Sequence, residues 1–168
     1  MMKALFIGRF QPFHLGHLKV IKGASEKYDE IIIGIGSSQY RNIIENPFTS
    51  DEREEMIKKT LEKNKVKNFR IVLIPDIHNP PKWVNHVTSI VSDFNVVLTN
   101  NSFTKKLFED ADYKVEKTKV YSRDKFSGKE IRKRIISEKN WKDLVPLEVY
   151  HIIKKFDGEH RLKSLKKD

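Results

Sequence analysis

Cysteine is absent from the 168 residues. Its absence excludes a disulfide framework, a thiolate metal site and a cysteine nucleophile. Long apolar runs are missing too. The stretch from Ala4 to Ile7 falls far short of a signal-peptide core, and no later run approaches a membrane span. A soluble, cytoplasmic protein is the expectation. Glycine and proline are sparse, at seven and six residues, and no repeat or low-complexity linker divides the chain. Its length suits one domain over residues 1–168, ending in a helix and a basic tail from about residue 146.

Acidic residues are outnumbered, 23 against 33 Lys plus Arg, giving a net charge of +10. That balance suits polyanionic ligands, nucleotides and nucleic acids alike. The basic residues are spread along the chain and mixed with acids, and no aromatic-basic sheet motif is present, which weighs against nucleic acid as the main partner. A charged fraction of 33% equally fits a solubility or thermal adaptation.

Short β-branched runs alternate with segments of helical period, the pattern of a parallel sheet flanked by helices. The runs are Lys3 to Ile7, Glu30 to Ile35, Phe69 to Ile74, Asn95 to Thr99 and Tyr113 to Thr118. The continuous apolar character of IIIGI and RIVLI predicts strands covered on both faces. Leu15, Leu18, Ile21, Ala24 and Tyr28 make one helical stripe. Thr49 and Glu52 have capping-box spacing ahead of Met56, Ile57 and Leu61, and Ser127 and Glu130 repeat it ahead of Ile131, Ile135 and Ile136. A further helix is expected over residues 82–91. Pro146 suits the first turn of the last helix, with Gly158 as its end and RLKSLKKD as the tail. The fold class is α/β: a doubly wound, Rossmann-like parallel sheet.

The segment GRFQPFHLGH, Gly8 to His17, falls where the first strand hands over to the first helix, the edge at which open α/β sheets bind ligands. Gly8 permits close backbone approach, Pro12 stiffens the loop, and Gly16 leaves room for a nucleotide. His14 and His17 share a face near a helix N-terminus, where imidazole donors suit phosphate oxygens. A helix start that binds nothing is the plainer alternative. No third ligand suggests a metal site.

GRFQPFHLGH together with SGKEIR at Ser127 to Arg132 resembles the HxGH nucleotidyltransferase superfamily, and within it the archaeal-type nicotinamide mononucleotide adenylyltransferases. The finer likeness rests on GIGS at Gly34 to Ser37, ENPFT at Glu45 to Thr49 with Arg53 following, IPDI at Ile74 to Ile77, Trp83 and LVP at Leu144 to Pro146. It covers nearly the whole chain.

The resemblance implies NAD biosynthesis: AMP passes from ATP to nicotinamide mononucleotide (NMN), releasing pyrophosphate. It implies that His14, His17, Arg9 and Arg132 act on the phosphates, and that Gly8, Phe10, Phe13, Gly16, Asn101, Ser127, Gly128, Lys129 and Ile131 complete the ATP site. It assigns Gln11, Ser37, Ser38, Asn46, Pro47, Phe48, Arg53, Asp76 and Trp83 to the acceptor. A homo-oligomer, often a hexamer, is implied as well. Mg²⁺ is expected on the ATP phosphates, because no carboxylate cage is apparent.

The residues themselves support parts of this assignment. Ser127 reads as an N-cap, and helical side chains lean toward the N-terminus, so Arg132 can reach an anion bound there. Trp83 can stack on a pyridinium ring, or pack in a core. Trp141 reads as packing. Asn46 suits an amide or a ribose, Arg53 an acceptor phosphate, and Asp76 a carboxamide or ribose. The same ENPFT segment also reads as a capped loop-to-helix junction.

Two positions depart from the family pattern. Lys129 stands where threonine is usual, and Asn100 where a glycine precedes Asn101. A lysine in a first helical turn is disfavoured by the helix dipole unless an anion is bound there, which makes a triphosphate contact the functional reading and a plain surface lysine the other. Asn100 is expected to tolerate a left-handed turn. Pantetheine phosphate or flavin mononucleotide as acceptor, and a non-catalytic nucleotide- or nucleic-acid-binding protein, are the competing readings.

Overall fold

The computed structural model describes residues 1–118 and 126–166. Five strands, β1 (Lys3–Gly8), β2 (Glu30–Gly36), β3 (Phe69–Ile74), β4 (Val96–Leu98) and β5 (Lys114–Glu116), form one sheet in the order β3-β2-β1-β4-β5. Every pairing is parallel. The helices are α1 (Leu15–Lys27), α2 (Ser50–Lys63), α3 (Pro80–Ile90), α4 (Ser102–Asp110), α5 (Gly128–Ile136), α6 (Leu147–Lys155) and α7 (Gly158–Lys166), with a 3₁₀ turn at Lys142–Leu144.

The strand alternation divides the core in two. Ile31, Ile33 and Ile35 face one layer with residues of α1, α2, α5, α6 and α7, while Ile32 faces the other with Leu5, Val97 and residues of α3 and α4. Helices on both faces of a parallel sheet make the fold doubly wound and Rossmann-like. The chain builds outward from β1 through β2 to β3, then crosses to β4. The switch point is therefore the gap between β1 and β4 at their C-terminal ends, where such sheets bind ligands.

Several expectations change. RIVLI is not covered on both faces: β3 is an edge strand, and Leu73 remains 41% exposed. Apolar continuity cannot tell a central strand from an edge one. Helix α3 starts two residues early, because Pro80 and Pro81 fit a first turn whose N–H groups have no partner anyway. Pro146 is the N-cap of α6, just before its first turn. Gly158 does not end a helix; α6 ends before it, Asp157 takes the left-handed turn at φ 55°, and Gly158 opens α7. Residues 161–166 of the expected tail are helical, with Leu162 buried, and residues 167–168 lie outside the described residues. Helix α4, which no sequence pattern had suggested, is capped by Asn101, whose Oδ1 accepts from Thr104 N at 2.9 Å. Neither Asn100 nor Asn101 is left-handed. Trp141 is buried against Tyr150.

Candidate active site

The first turn of α1 is capped by imidazoles. His14 Nδ1 accepts from Gly16 N at 3.1 Å and His17 N at 3.4 Å, and His17 Nδ1 accepts from His14 N at 3.1 Å. This is a capping box in which two histidines replace the usual hydroxyl and carboxylate. With both Nδ1 atoms accepting, the proton of each neutral ring sits on Nε2, so each ring keeps one donor that the cap does not use. The rings stack with centroids 3.5 Å apart. Burial pushes His14 down to about 4, and burial with the neighbouring His14 holds His17 well below its ordinary value. At neutral pH the pair is therefore uncharged, with its Nε2 donors at a helix N-terminus.

Glycine is needed at Gly16: a Cβ there would come within 2.9 Å of the His14 ring and 3.2 Å of Phe126. Gly8 has a different reason from the one the sequence suggests. The Phe10 ring occupies the space its Cβ would take, at 3.0 Å. Phe10 and Phe13 are buried around His17, Phe13 stacked and Phe10 edge-on, and Ile131 is core. All three side chains are packed in the core.

Helix α5 brings the second motif to the first. Ser127 Oγ accepts from Glu130 N at 3.1 Å, but the Glu130 carboxylate pairs with Arg134 instead of closing a box. Arg132 reaches back, as its place in the helix predicts, and donates to Gln11 O at 2.8 Å. Gly128 lies in the same contact, since a Cβ there would stand 2.9 Å from Arg132 Nη1. Desolvation, then repulsion from Arg9, lowers the Arg132 guanidinium to about 10, still a cation at neutral pH. Lys129 is exposed beside this N-terminus.

A cavity of about 560 Å³ opens at the switch point. Of the expected residues, it gathers Gly8, Arg9, Ser37, Asp76, Trp83 and Asn101. The His14–His17 pair, the Ser127–Arg132 motif, the ENPFT segment and Arg53 do not line it. Arg53 is wholly buried, with its donors spent on backbone carbonyls, so it is not a phosphate ligand. Gln11 is not free to read an acceptor: its amide exchanges two hydrogen bonds with the Phe48 backbone. Phe48 packs on Phe156, Pro47 O accepts from Arg161, and Ser38 N donates to Ile74 O. Asn46 is buried, and its Oδ1 has no hydrogen-bond partner among the described residues. Asp76 accepts from His78 N in a local turn while Gln39 zips to its backbone.

Sequence reasoning missed part of the wall. His78, Asn79, Phe103 and Thr104 line it as well. The signal for Asn79 was present: Pro81 removes one N–H an N-cap would hold, Lys82 N donates to Asn79 O instead of to its side chain, and that side chain makes no capping bond. Phe103 is 56% exposed at the rim.

A helix N-terminus capped by two imidazoles, Arg132 bound to the loop before it, and Arg9 in a cavity at the switch point of a doubly wound sheet are the features of a nucleotide-binding α/β protein. The chain belongs to the cytidylyltransferase-like family, which matches residues 5–134. It is 48% identical to the nicotinamide-nucleotide adenylyltransferase of Methanococcus aeolicus, covering 98% of this chain and 95% of that one. The enzyme of the same name from Archaeoglobus fulgidus is 44% identical, with 98% and 97% covered. Among solved structures, a bifunctional NMN adenylyltransferase/ADP ribose pyrophosphatase from Francisella tularensis, complexed with AMP and a manganese ion, superposes with a TM-score of 0.81 at 25% identity. The match covers 98% of this chain and about half, 51%, of that one. A nicotinate-nucleotide adenylyltransferase structure from Vibrio parahaemolyticus shares the fold, with a TM-score of 0.68 at 17% identity over 98% of both chains.

Proposed function

We propose that the chain transfers the adenylyl group of ATP to nicotinamide mononucleotide, giving NAD and pyrophosphate. The observation that carries the site assignment is the locked imidazole pair at the α1 N-terminus, joined to the second motif by Arg132 on Gln11 O. An oxygen of the acceptor phosphate attacks the α-phosphorus in line. The new P–O bond forms as the α–β anhydride bond breaks, and the pyrophosphate departs with its electron pair. That acceptor is ionised near neutral pH, so no general base is required. His14 and His17 donate from Nε2 to the triphosphate, Arg132 and the first turn of α5 hold the departing pyrophosphate, and Lys129 adds a contact to it. Catalysis comes from position and charge neutralisation. Mg²⁺ enters with ATP as part of the substrate; among the described residues no three His, Cys, Asp or Glu side chains gather into a metal-binding set.

Arg9, in the first motif and near enough to Arg132 for their charges to repel, serves both substrates. Trp83, partly buried in the cavity wall, offers a face for the pyridinium ring. The functional unit is a homo-oligomer in the cytoplasm, its size to be read by light scattering; among the described residues no helix is long and apolar enough to cross a membrane. The deciding experiment incubates the protein with Mg²⁺, ATP and, in turn, NMN, pantetheine phosphate and flavin mononucleotide, beside a His17→Ala control. NAD from the first alone, lost in the control, is expected. Product with another acceptor only would overturn the reading.

A further inference from the structure

Arg53 heads the large side chains that the fold buries completely. Its hydrogen-bond partners are backbone carbonyls. Nη1 donates to Arg9 O and Gly36 O, both at 2.9 Å. Nη2 lies 3.3 Å from Ser37 O, 3.5 Å from Ser38 O and 3.4 Å from Tyr40 O, and Nε donates to Thr49 O at 3.2 Å. Removing a cation from water costs several kcal/mol unless other dipoles replace the solvent. An apolar side chain would fill the same space without that cost, so packing does not account for an arginine here. What the guanidinium alone supplies is direction: it turns a set of loop carbonyls toward one point.

In a planar trans peptide the carbonyl and the following N–H point in opposite directions. With Arg9 O and Gly36 O drawn onto Arg53, the N–H groups of Phe10 and Ser37 are turned away from it. These two peptides follow adjacent strands, at the edge where Gly8, Arg9, Gly36 and Ser37 line the cavity. Phe10 at φ 53° and Ser37 at φ 46° are both left-handed. Such angles are costly for residues with side chains and persist where the surroundings hold them. Converging backbone N–H groups form anion sites.

We infer that Arg53 is a positioning residue: it aims the Phe10 and Ser37 N–H groups at the acceptor's phosphate, which the backbone receives and Arg53 never touches. The inference rests on the acceptor being a phosphorylated nucleoside, as proposed above. Its test compares Arg53→Met and Arg53→Lys by steady-state kinetics. Arg53→Met is expected to raise KM for NMN about tenfold, the worth of a charge-assisted hydrogen bond, while KM for ATP stays within about twofold. Lysine, a point charge without the planar fork, is expected to recover only part of the loss. Equal rises in both KM values, or full recovery by lysine, would overturn the role.

Wild-type protein supplies a check that does not depend on the variants folding. In ¹H–¹⁵N spectra the Phe10 and Ser37 amides are expected to shift on adding NMN, and not on adding nicotinamide riboside, which lacks the phosphate. If Trp83 responds to NMN while both amides stay still, the positioning role fails and the acceptor assignment survives. If nothing in the cavity responds and no NAD is formed, the acceptor assignment itself has failed, and this inference with it.

Discussion

Replacing His14 by asparagine separates the two roles the structure gives that residue. The Oδ1 of asparagine lies as many bonds from Cα as Nδ1 of histidine, so it can accept from Gly16 N and His17 N as the imidazole does at 3.1 and 3.4 Å. Asparagine is a strong N-cap, and loss of a cap to alanine costs about 1 kcal/mol. At this chain length that is a fall of roughly 2–4 °C in Tm. Both variants lose the stack on His17, so the difference between His14→Asn and His14→Ala isolates the cap. Neither variant retains the Nε2 donor. Removing one donor aimed at developing charge costs about 10²–10³ in kcat, and that loss should appear in both. Calorimetry beside the NAD assay tests the two halves separately. Near wild-type kcat in His14→Asn would refute the phosphate role. A Tm for His14→Asn as low as that for His14→Ala would refute the cap.

The same pair predicts a pH dependence. His14 falls from 6.5 to about 4 on folding, so as pH drops below 6.5 the unfolded chain takes a proton that the folded chain refuses. Stability is full above pH 6.5 and declines by up to about 1.4 kcal/mol per unit, roughly 3 kcal/mol by pH 4; urea midpoints should drop across that window less steeply in His14→Asn. Gly128→Ala, whose Cβ would stand 2.9 Å from Arg132 Nη1 and 3.0 Å from Gln11 O, should lower kcat at least tenfold with a small change in Tm. Arg161 forks onto both Glu52 oxygens at 2.7 and 2.9 Å and donates to Pro47 O at 3.1 Å. Arg161→Ala should cost about 2 kcal/mol in urea unfolding, more than the loss of the exposed Lys106–Asp110 pair. Lys129→Thr should raise KM for ATP severalfold, and an unchanged value would leave that lysine a surface residue.

The β2 strand and the α1 and α2 helices were legible because each carries a complete local signal: IIIGI between polar ends, a 3.6-residue stripe, a hydroxyl three residues before a glutamate. Helix α7 was not. In RLKSLKK four of seven residues are basic, and what makes the segment helical is the burial of Leu162 against α5 and α6, a tertiary contact invisible to a window of sequence. Helix α4 fails the same way, its buried face supplied mainly by Phe108 against Phe94 and Tyr113. The Ser127 and Glu130 spacing predicted a full capping box. The Glu130 carboxylate had a second candidate one turn on, Arg134, and took it.

The site divides along a similar line. The positions of residues placed where local structure ends were readable: His14 and His17 at a helix start, Arg132 one turn inside another, Trp83 after a proline pair. Arg53 was misread because sequence shows a charge one turn into a helix and not what surrounds it. A phosphate and a ring of carbonyls and peptide dipoles both satisfy a guanidinium, and the second removes it from the ligand. The same reasoning explains why the Gln11 amide is engaged by the Phe48 backbone. In this fold Arg53 and Gln11 hold the loops around the ENPFT segment, and on the role proposed for Arg53 the loop backbone is left to meet the ligand. Substitutions there should therefore move the acceptor's KM and the stability together, whereas those at Nε2 donors should move kcat with the fold intact.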